Sequence, residues 1–383
     1  MKILQICAAY KPAYIYGGPT MSVSMLSEQL VKAGLDIDVY TTTANGKTEL
    51  DILPNSTQNV EGVTTTYFKR ITKDHSHFSP DLIISLWKNM KKYDVVHIHA
   101  WWNLVSLFSA TIAIFRNIPI IISPRGTLSS YSFQNKNIGP KWAIHTFWGK
   151  FLLKKSNILV TSQLEEKAIA SFLKPLSLNL LPNFVKLPSK NNLEKNHHSE
   201  HLRLLFFSRI EQKKGLEILI NALNKINVSY HLDIVGSGDP DYTNVLKSLI
   251  ITNKVEDHVT WHGFQNENKF SILHNHDLFI LPSHDENFGN VVIESLAVGT
   301  PVLISDKVGL ANYVEKNNLG WVCETNAKSV SDMINHIAEY QKDKLNLIRE
   351  LGPNIIYDDF LEERLVKKYI EYYDGIIKLN PNN

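Results

Sequence analysis

Glu286 and Glu294 stand eight positions apart in a stretch that follows an apolar run and leads into a helical pattern. A carboxylate accepts hydrogen bonds from vicinal hydroxyls, so a pair placed this way could grip two different sugar rings. Asn287, Phe288, Gly289 and Asn290 lie between them where the helix should begin, and backbone N–H groups at a helix N-terminus suit an anion such as a diphosphate. A solvated helix face gives the same glutamate spacing, so the pair needs support from elsewhere in the chain. Arg209 and Lys214 follow an earlier apolar run. Taken alone they could be surface ion-pair partners, with Glu211 an obvious mate. Their place at a strand's C-terminal end, where ligands bind in parallel sheets, favours a site.

Other polar residues are less telling. His97 and His99 are two apart in a strand-like run, so their side chains share one side, and His99 is the one expected to face a ligand. His75-x-His77 and His274-x-His276 lack an obvious third ligand, and no metal is expected. Gly236-x-Gly238 lacks the third glycine of a dinucleotide fingerprint, which argues against NAD.

Short apolar runs alternating with helical patterns must position these residues, and that alternation is the signature of parallel sheets covered by helices. Strands are expected near residues 2–8, 36–40, 95–99, 119–123, 158–161 and 178–181, with helices near 20–33, 104–115, 142–153 and 163–172. Residues 188–201 are polar and aperiodic and read as a linker. The alternation then restarts, with strands near 202–208, 231–235, 259–261, 278–281, 301–304 and 321–323. Helices fall near 216–225, 242–251, 290–297 and 329–341. The fold class is therefore α/β, with two Rossmann-like domains of parallel sheets facing a central cleft: residues 1–187, then 202–356. A last amphipathic helical segment, 357–383, needs a surface to cover.

Read together, these stretches resemble the family-four retaining glycosyltransferases, which have the GT-B fold. Glu286 and Glu294 match the family's Glu-x7-Glu motif, and Phe207-Ser208-Arg209 through Lys214-Gly215 matches its Gly-Arg-x4-Lys-Gly stretch, with Ser208 in place of the usual glycine. Gly17-Gly18 resembles the family's glycine-rich loop, and His99 its histidine beside the donor hexose. Val235-Gly236-Ser237-Gly238 and Leu181-Pro182-Asn183 match further family stretches. The resemblance implies a nucleotide diphosphate sugar as donor, a UDP-sugar favoured, bound by Gly17, Gly18, Arg209, Lys214, Glu286, Asn287, Phe288, Gly289, Asn290 and Glu294. Glu286 would hold the hexose hydroxyls, Glu294 the ribose, and Arg209 with Lys214 the leaving diphosphate, whose growing charge two fixed cations offset without a metal or other cofactor. The catalytic set implied is Glu286, Arg209, Lys214 and His99, with departure and attack on one face of the sugar and no protein nucleophile. The first domain would take the acceptor, the second the donor, and the C-terminal helix would cross back onto the first.

Ser123-Pro124-Arg125-Gly126 resembles segments of family members that build bacterial surface polysaccharides such as O-antigen or capsule. Arg125 is then either an acceptor-side contact, to the diphosphate of a lipid-linked sugar, or a structural hydrogen-bonder. Residues 136–155 interleave five lysines with Trp142, Phe147, Trp148 and Phe151, which suits either docking on the anionic inner leaflet of a membrane or a core-facing helix with a wet basic side. Competing readings are another GT-B reaction, an epimerase or phosphorylase, and a non-catalytic nucleotide-sugar scaffold.

Composition bounds the rest. A chain of 383 residues that is 44% hydrophobic and 20% charged excludes disorder and coiled coil. A net charge of +2 argues against nucleic acid as a partner. Cys7 and Cys323 lie in separate apolar runs and read as core thiols of a reducing compartment. The N-terminus lacks a signal-peptide pattern, and the most apolar stretch, 104–115, is too short to span a bilayer, so a cytoplasmic or peripheral location is expected.

Overall fold

The structure, a computed structural model, describes residues 1–129, 145–188, 201–265 and 267–379. It divides into two units, one of Met1–Phe184 with Glu362–Asn383 and the other of Val185–Leu361.

The first unit is built on strands β1 (Lys2–Ile6), β2 (Asp36–Thr42), β3 (Ser56–Val60), β4 (Val63–Phe68), β5 (Val95–His99), β6 (Ile120–Ser123), β7 (Asn157–Val160) and β8 (Ser177–Leu180). They form one sheet in the order β8-β7-β6-β5-β1-β2-β4-β3, parallel throughout except for the β3–β4 hairpin. Every residue of β5 and β6 is buried, as expected of a parallel sheet covered on both faces, and the polar exceptions in these apolar runs, His97, His99 and Ser123, have hydrogen-bond partners inside. Helix starts follow local capping chemistry. Ser79, Asn103 and Ser162 accept from the backbone N–H groups of Leu82, Ser106 and Glu165, each three residues on.

The second unit has strands β9 (Leu202–Phe207), β10 (Tyr230–Val235), β11 (Val259–Gly263), β12 (Leu278–Leu281), β13 (Val302–Ser305) and β14 (Gly320–Cys323). Their order, β11-β10-β9-β12-β13-β14, is the doubly wound Rossmann order with the reversal between β9 and β12. The first unit reverses likewise between β1 and β5.

Two differences from the sequence reading have clear causes. The β3–β4 hairpin was not expected, because β3 is a polar, largely exposed edge strand with no apolar alternation; nor was the helix Pro80–Asn89, although Ser79 and Pro80 are a local start signal for it. The segment 357–383, expected as one helix, is split at Leu361. The helix Lys342–Phe360 ends there, where Leu361 adopts extended backbone (φ −57°, ψ 127°), and Glu362–Lys378 begins. Ile356 and Phe360 belong to the core of the second unit, whereas Leu365, Tyr369, Tyr373 and Ile376 belong to that of the first. One continuous apolar periodicity therefore serves two cores. Residues 189–200 of the expected linker lie outside the described residues.

Candidate functional site

In a doubly wound sheet ligands bind beyond the carboxyl ends of the strands at the reversal point. In the second unit those ends are Phe207 on β9 and Leu281 on β12, and the loops that leave them carry Arg209 with Lys214 and Glu286 respectively. Topology thus brings together residues that are more than 70 positions apart in the chain.

Glycines set how closely the two loops approach. Gly215 has φ +70°, and a Cβ there would meet the Pro282 carbonyl oxygen at 2.1 Å. Gly236 has φ +146°, and a Cβ there would lie 1.8 Å from the Ser208 oxygen. Both values are far inside van der Waals contact, so the backbone around Arg209 and Lys214 is packed directly on neighbouring backbone. His284 N–H donates to the Lys213 carbonyl at 2.9 Å and closes the contact from the other side.

Lys214 Nζ donates to Glu286 Oε2 and Lys213 Nζ pairs with Asp285 Oδ2 at 2.7 Å, so consecutive cations meet consecutive carboxylates. Burial works to raise the Glu286 carboxyl, but the charges of Lys214, Lys213 and Arg209 outweigh it and hold Glu286 below its ordinary range. Its backbone is fixed as well, N–H to the Lys307 carbonyl at 3.1 Å and C=O to the Gly309 N–H at 2.7 Å. Arg209 pairs with Glu211 at 2.7 Å, and its side chain is 48% exposed.

The helix Asn290–Ala297 starts at Gly289, and no side chain caps it. Phe288 is buried and anchors the loop. Glu294, one turn inside, is 6% exposed. Its Oε1 takes a hydrogen bond from Lys269 Nζ at 2.6 Å, while its Oε2 is buried with no partner. A buried carboxylate oxygen without a donor is costly, and a ligand hydroxyl would satisfy it. Lys269 was not singled out from the sequence, because nothing local links it to a glutamate 25 positions later.

In the first unit Gly17 (φ 64°, ψ −133°) is the N-cap of the 15-residue helix Gly18–Lys32, again without a side-chain cap. His97 in the middle of β5 and His99 at its end share one side, as the strand period requires, but neither is free. His97 Nδ1 is 2.8 Å from Tyr373 Oη and its Nε2 2.8 Å from Ser123 Oγ. His99 Nε2 bonds Gln5 Oε1, and its Nδ1 accepts from Arg125 Nε at 3.2 Å. Burial pushes both imidazoles well below their ordinary value, so both are neutral. The sequence reading expected His99 to offer a polar atom to a sugar, yet in this arrangement the ring has no nitrogen left. Arg125 also donates to Asn183 Oδ1 at 2.7 Å, tying two of the matched stretches together. Arg125 itself (φ 53°), Ala100 (φ 63°) and Trp102 (φ 61°) hold left-handed backbone at the ends of β5 and β6, strain that clusters at functional sites. Gln5 could have been flagged from sequence as a polar residue inside a buried apolar strand.

His77 bonds Arg70 at 3.1 Å, His274 bonds the Val298 carbonyl at 2.8 Å, and His276 bonds Asp233 at 2.7 Å. Among the described residues no group of three or more His, Cys, Asp or Glu is placed to hold a metal ion. Cys7 and Cys323 are buried, and burial pushes both thiols up to about 12. Much of the basic-aromatic segment 136–155, Lys136, Lys141 and Trp142 included, lies outside the described residues. In its described end, the turn His145–Gly149 exposes Phe147, and the helix Lys150–Lys154 that follows buries Leu152 and Leu153 and exposes Lys150 and Phe151. No helix among the described residues is long and apolar enough to cross a membrane.

Comparison with known proteins gives these features a family. A family model described as Glycosyltransferase Family 4 matches residues 16–187, and one described as Glycosyl transferases group 1 matches residues 189–355. An uncharacterized glycosyltransferase of Methanocaldococcus jannaschii is 24% identical over 398 residues, covering 97% of this chain and 98% of that one. The O-antigen biosynthesis glycosyltransferase WclY of Escherichia coli is 26% identical over 172 residues, 45% of this chain and 46% of that one. Among solved structures, Anabaena HepE in complex with UDP and glucose is similar at a TM-score of 0.75 and 19% identity, over 98% of this chain and 100% of that one. The fold is accordingly GT-B, two Rossmann-like halves in series. The chain belongs to the family-four glycosyltransferases, with relatives in bacterial polysaccharide biosynthesis.

Proposed function

We propose that the protein transfers a hexose-type sugar from a UDP-sugar to a hydroxyl of a glycan acceptor, with retention of anomeric configuration and without a metal ion, in the assembly of a surface polysaccharide. The observation that carries the donor assignment is the Glu294 carboxylate, buried and held by Lys269 on one side, with its other oxygen unpartnered. That oxygen is assigned to a ribose hydroxyl, Glu286 to the hexose, and Arg209 with Lys214 to the diphosphate, supported by the backbone of Asn287, Phe288, Gly289 and Asn290. Anabaena HepE, solved with UDP and glucose, supports uridine as the base. In the first unit, Gly17 and Gly18 are assigned to a phosphate, and Arg125 to the acceptor, with His99 acting through Arg125. The E. coli relative in O-antigen biosynthesis supports an acceptor of that class, a lipid-linked sugar.

Thermal stabilisation by UDP, GDP and ADP, with and without EDTA, tests the donor site. A ligand at a hundredfold excess over Kd adds about 2.7 kcal/mol, so a selective shift is readable. UDP is expected to stabilise the protein equally in EDTA, and Glu294→Gln to weaken UDP binding roughly 10- to 100-fold, as for loss of a charged hydrogen bond worth about 1.5–3 kcal/mol. A shift that requires Mg²⁺, or one unchanged in Glu294→Gln, would overturn the assignment. The anomer of the product, read by NMR, tests retention, and products formed without acceptor or with phosphate would point to an epimerase or phosphorylase.

For membrane docking the expected result is that Lys150→Glu/Lys154→Glu/Lys155→Glu loses co-sedimentation with vesicles rich in anionic phosphatidylglycerol, since each cation near such a surface contributes about 1 kcal/mol. Unchanged binding would remove the idea.

A further inference from the structure

Beneath Arg125 lies a polar chain that the donor reading does not use: Gln5, His97, Ser123 and Tyr373, all buried. Tyr373 reaches it from the last helix, Glu362–Lys378.

The proton on each atom follows from the one group that can only donate. Arg125 Nε donates to His99 Nδ1 at 3.2 Å, so the His99 proton must be on Nε2, where it is given to Gln5 Oε1. That orients the Gln5 amide, whose Nε2 donates to Tyr373 Oη at 3.1 Å. The tyrosine proton then goes to His97 Nδ1 at 2.8 Å, and His97 Nε2–H donates to Ser123 Oγ at 2.8 Å. Each link has one consistent direction. Without the tyrosine oxygen the Gln5 amide loses the acceptor that holds its NH₂ away from His99, and a turned amide would set donor against donor.

At the other end, Arg125 is held through Nε by His99 and through NH1 by Asn183 at 2.7 Å, which leaves NH2 with no hydrogen-bond partner among the described residues. Two nitrogens of a planar fork are thereby fixed and the third is presented. We propose that Tyr373 is a positioning residue, acting through Gln5 and His99 to hold Arg125 with its NH2 presented to a diphosphate. The proposal rests on the assignment of Arg125 to an anionic substrate group, and it gives the last helix a part in substrate binding beyond packing.

The test uses the full-length ¹⁵N-labelled protein carrying Arg209→Ala and Lys214→Ala, which silences the cations of the second unit. Geranyl diphosphate, resembling a lipid-linked acceptor, and UDP, representing the donor, are titrated separately while the Arg125 Nε–H and the His97 and His99 ring signals are followed. Expected are Nε2–H tautomers for both histidines and a saturable Arg125 response to one ligand or both; geranyl diphosphate alone assigns the anion to the acceptor, UDP alone to the donor. Tyr373→Phe and Gln5→Met, which cut the same link from opposite sides, should each raise the apparent Kd about tenfold, near 1.4 kcal/mol, with the melting temperature confirming that each is folded. Packing alone would not set histidine tautomers. Nδ1–H tautomers, or a Kd unchanged in the folded variants, would overturn the positioning role while leaving Arg125 as a ligand. No response of Arg125 to either ligand would overturn the anion assignment and the proposal with it.

Discussion

Replacing Arg209 or Lys214 with alanine is expected to lower turnover by about 10²–10³, some 2.7–4 kcal/mol of lost transition-state stabilisation. Negative charge grows on the departing diphosphate, and a fixed cation stabilises that charge more than it stabilises the bound donor. The two variants should differ in stability. Arg209 is half exposed and paired with Glu211 on the surface, so its loss costs about 0–1 kcal/mol of folding energy and the melting temperature should scarcely move. Lys214 is only 12% exposed and is the principal cation holding Glu286 ionised, so its removal strands a buried carboxylate and should lower the melting temperature as well. Steady-state kinetics beside a melting curve separates the two effects. Near-normal turnover in both variants would remove these residues from the chemistry.

The second large effect is expected at Gly215, which carries no functional group at all. In Gly215→Ala the new Cβ must displace the Pro282 carbonyl, 2.1 Å away, from a backbone held at φ +70°. Overpacking of this kind costs about 1–3 kcal/mol, and the left-handed backbone adds about 1 kcal/mol more. The displacement also separates the loop bearing Lys214 from the loop bearing Glu286. Turnover should therefore fall as far as in Lys214→Ala, roughly a hundredfold, although alanine at 215 removes no charge. Gly375, where a Cβ would meet nothing within 4 Å, serves as the control. A Gly215→Ala protein with full activity would mean that the approach of the two loops does not matter to catalysis.

Much of this was legible in one dimension. Strand and helix periodicities are local, so the alternation over 202–323 already implied the second sheet, and the motif residues fell at strand ends because the runs before them were plainly strands. The polar edge strand β3 escaped, since an exposed strand need not alternate. Leu361 escaped too, because apolar residues on both sides keep a helical spacing and nothing local says that Phe360 and Leu365 enter different cores.

The sequence by itself determined the α/β class, the two serial sheets, and the cations, carboxylates and glycines that mark a family-four glycosyltransferase. The tertiary structure alone decided how those groups are used. It placed Lys269 on Glu294 and left the other carboxylate oxygen unpaired, spent both nitrogens of His99 inside the first unit, and joined Gln5 to Tyr373 across 368 positions. Propensity and periodicity act over a few residues, whereas a buried polar atom takes whatever partner the fold carries within about 3 Å of it, however distant in the chain.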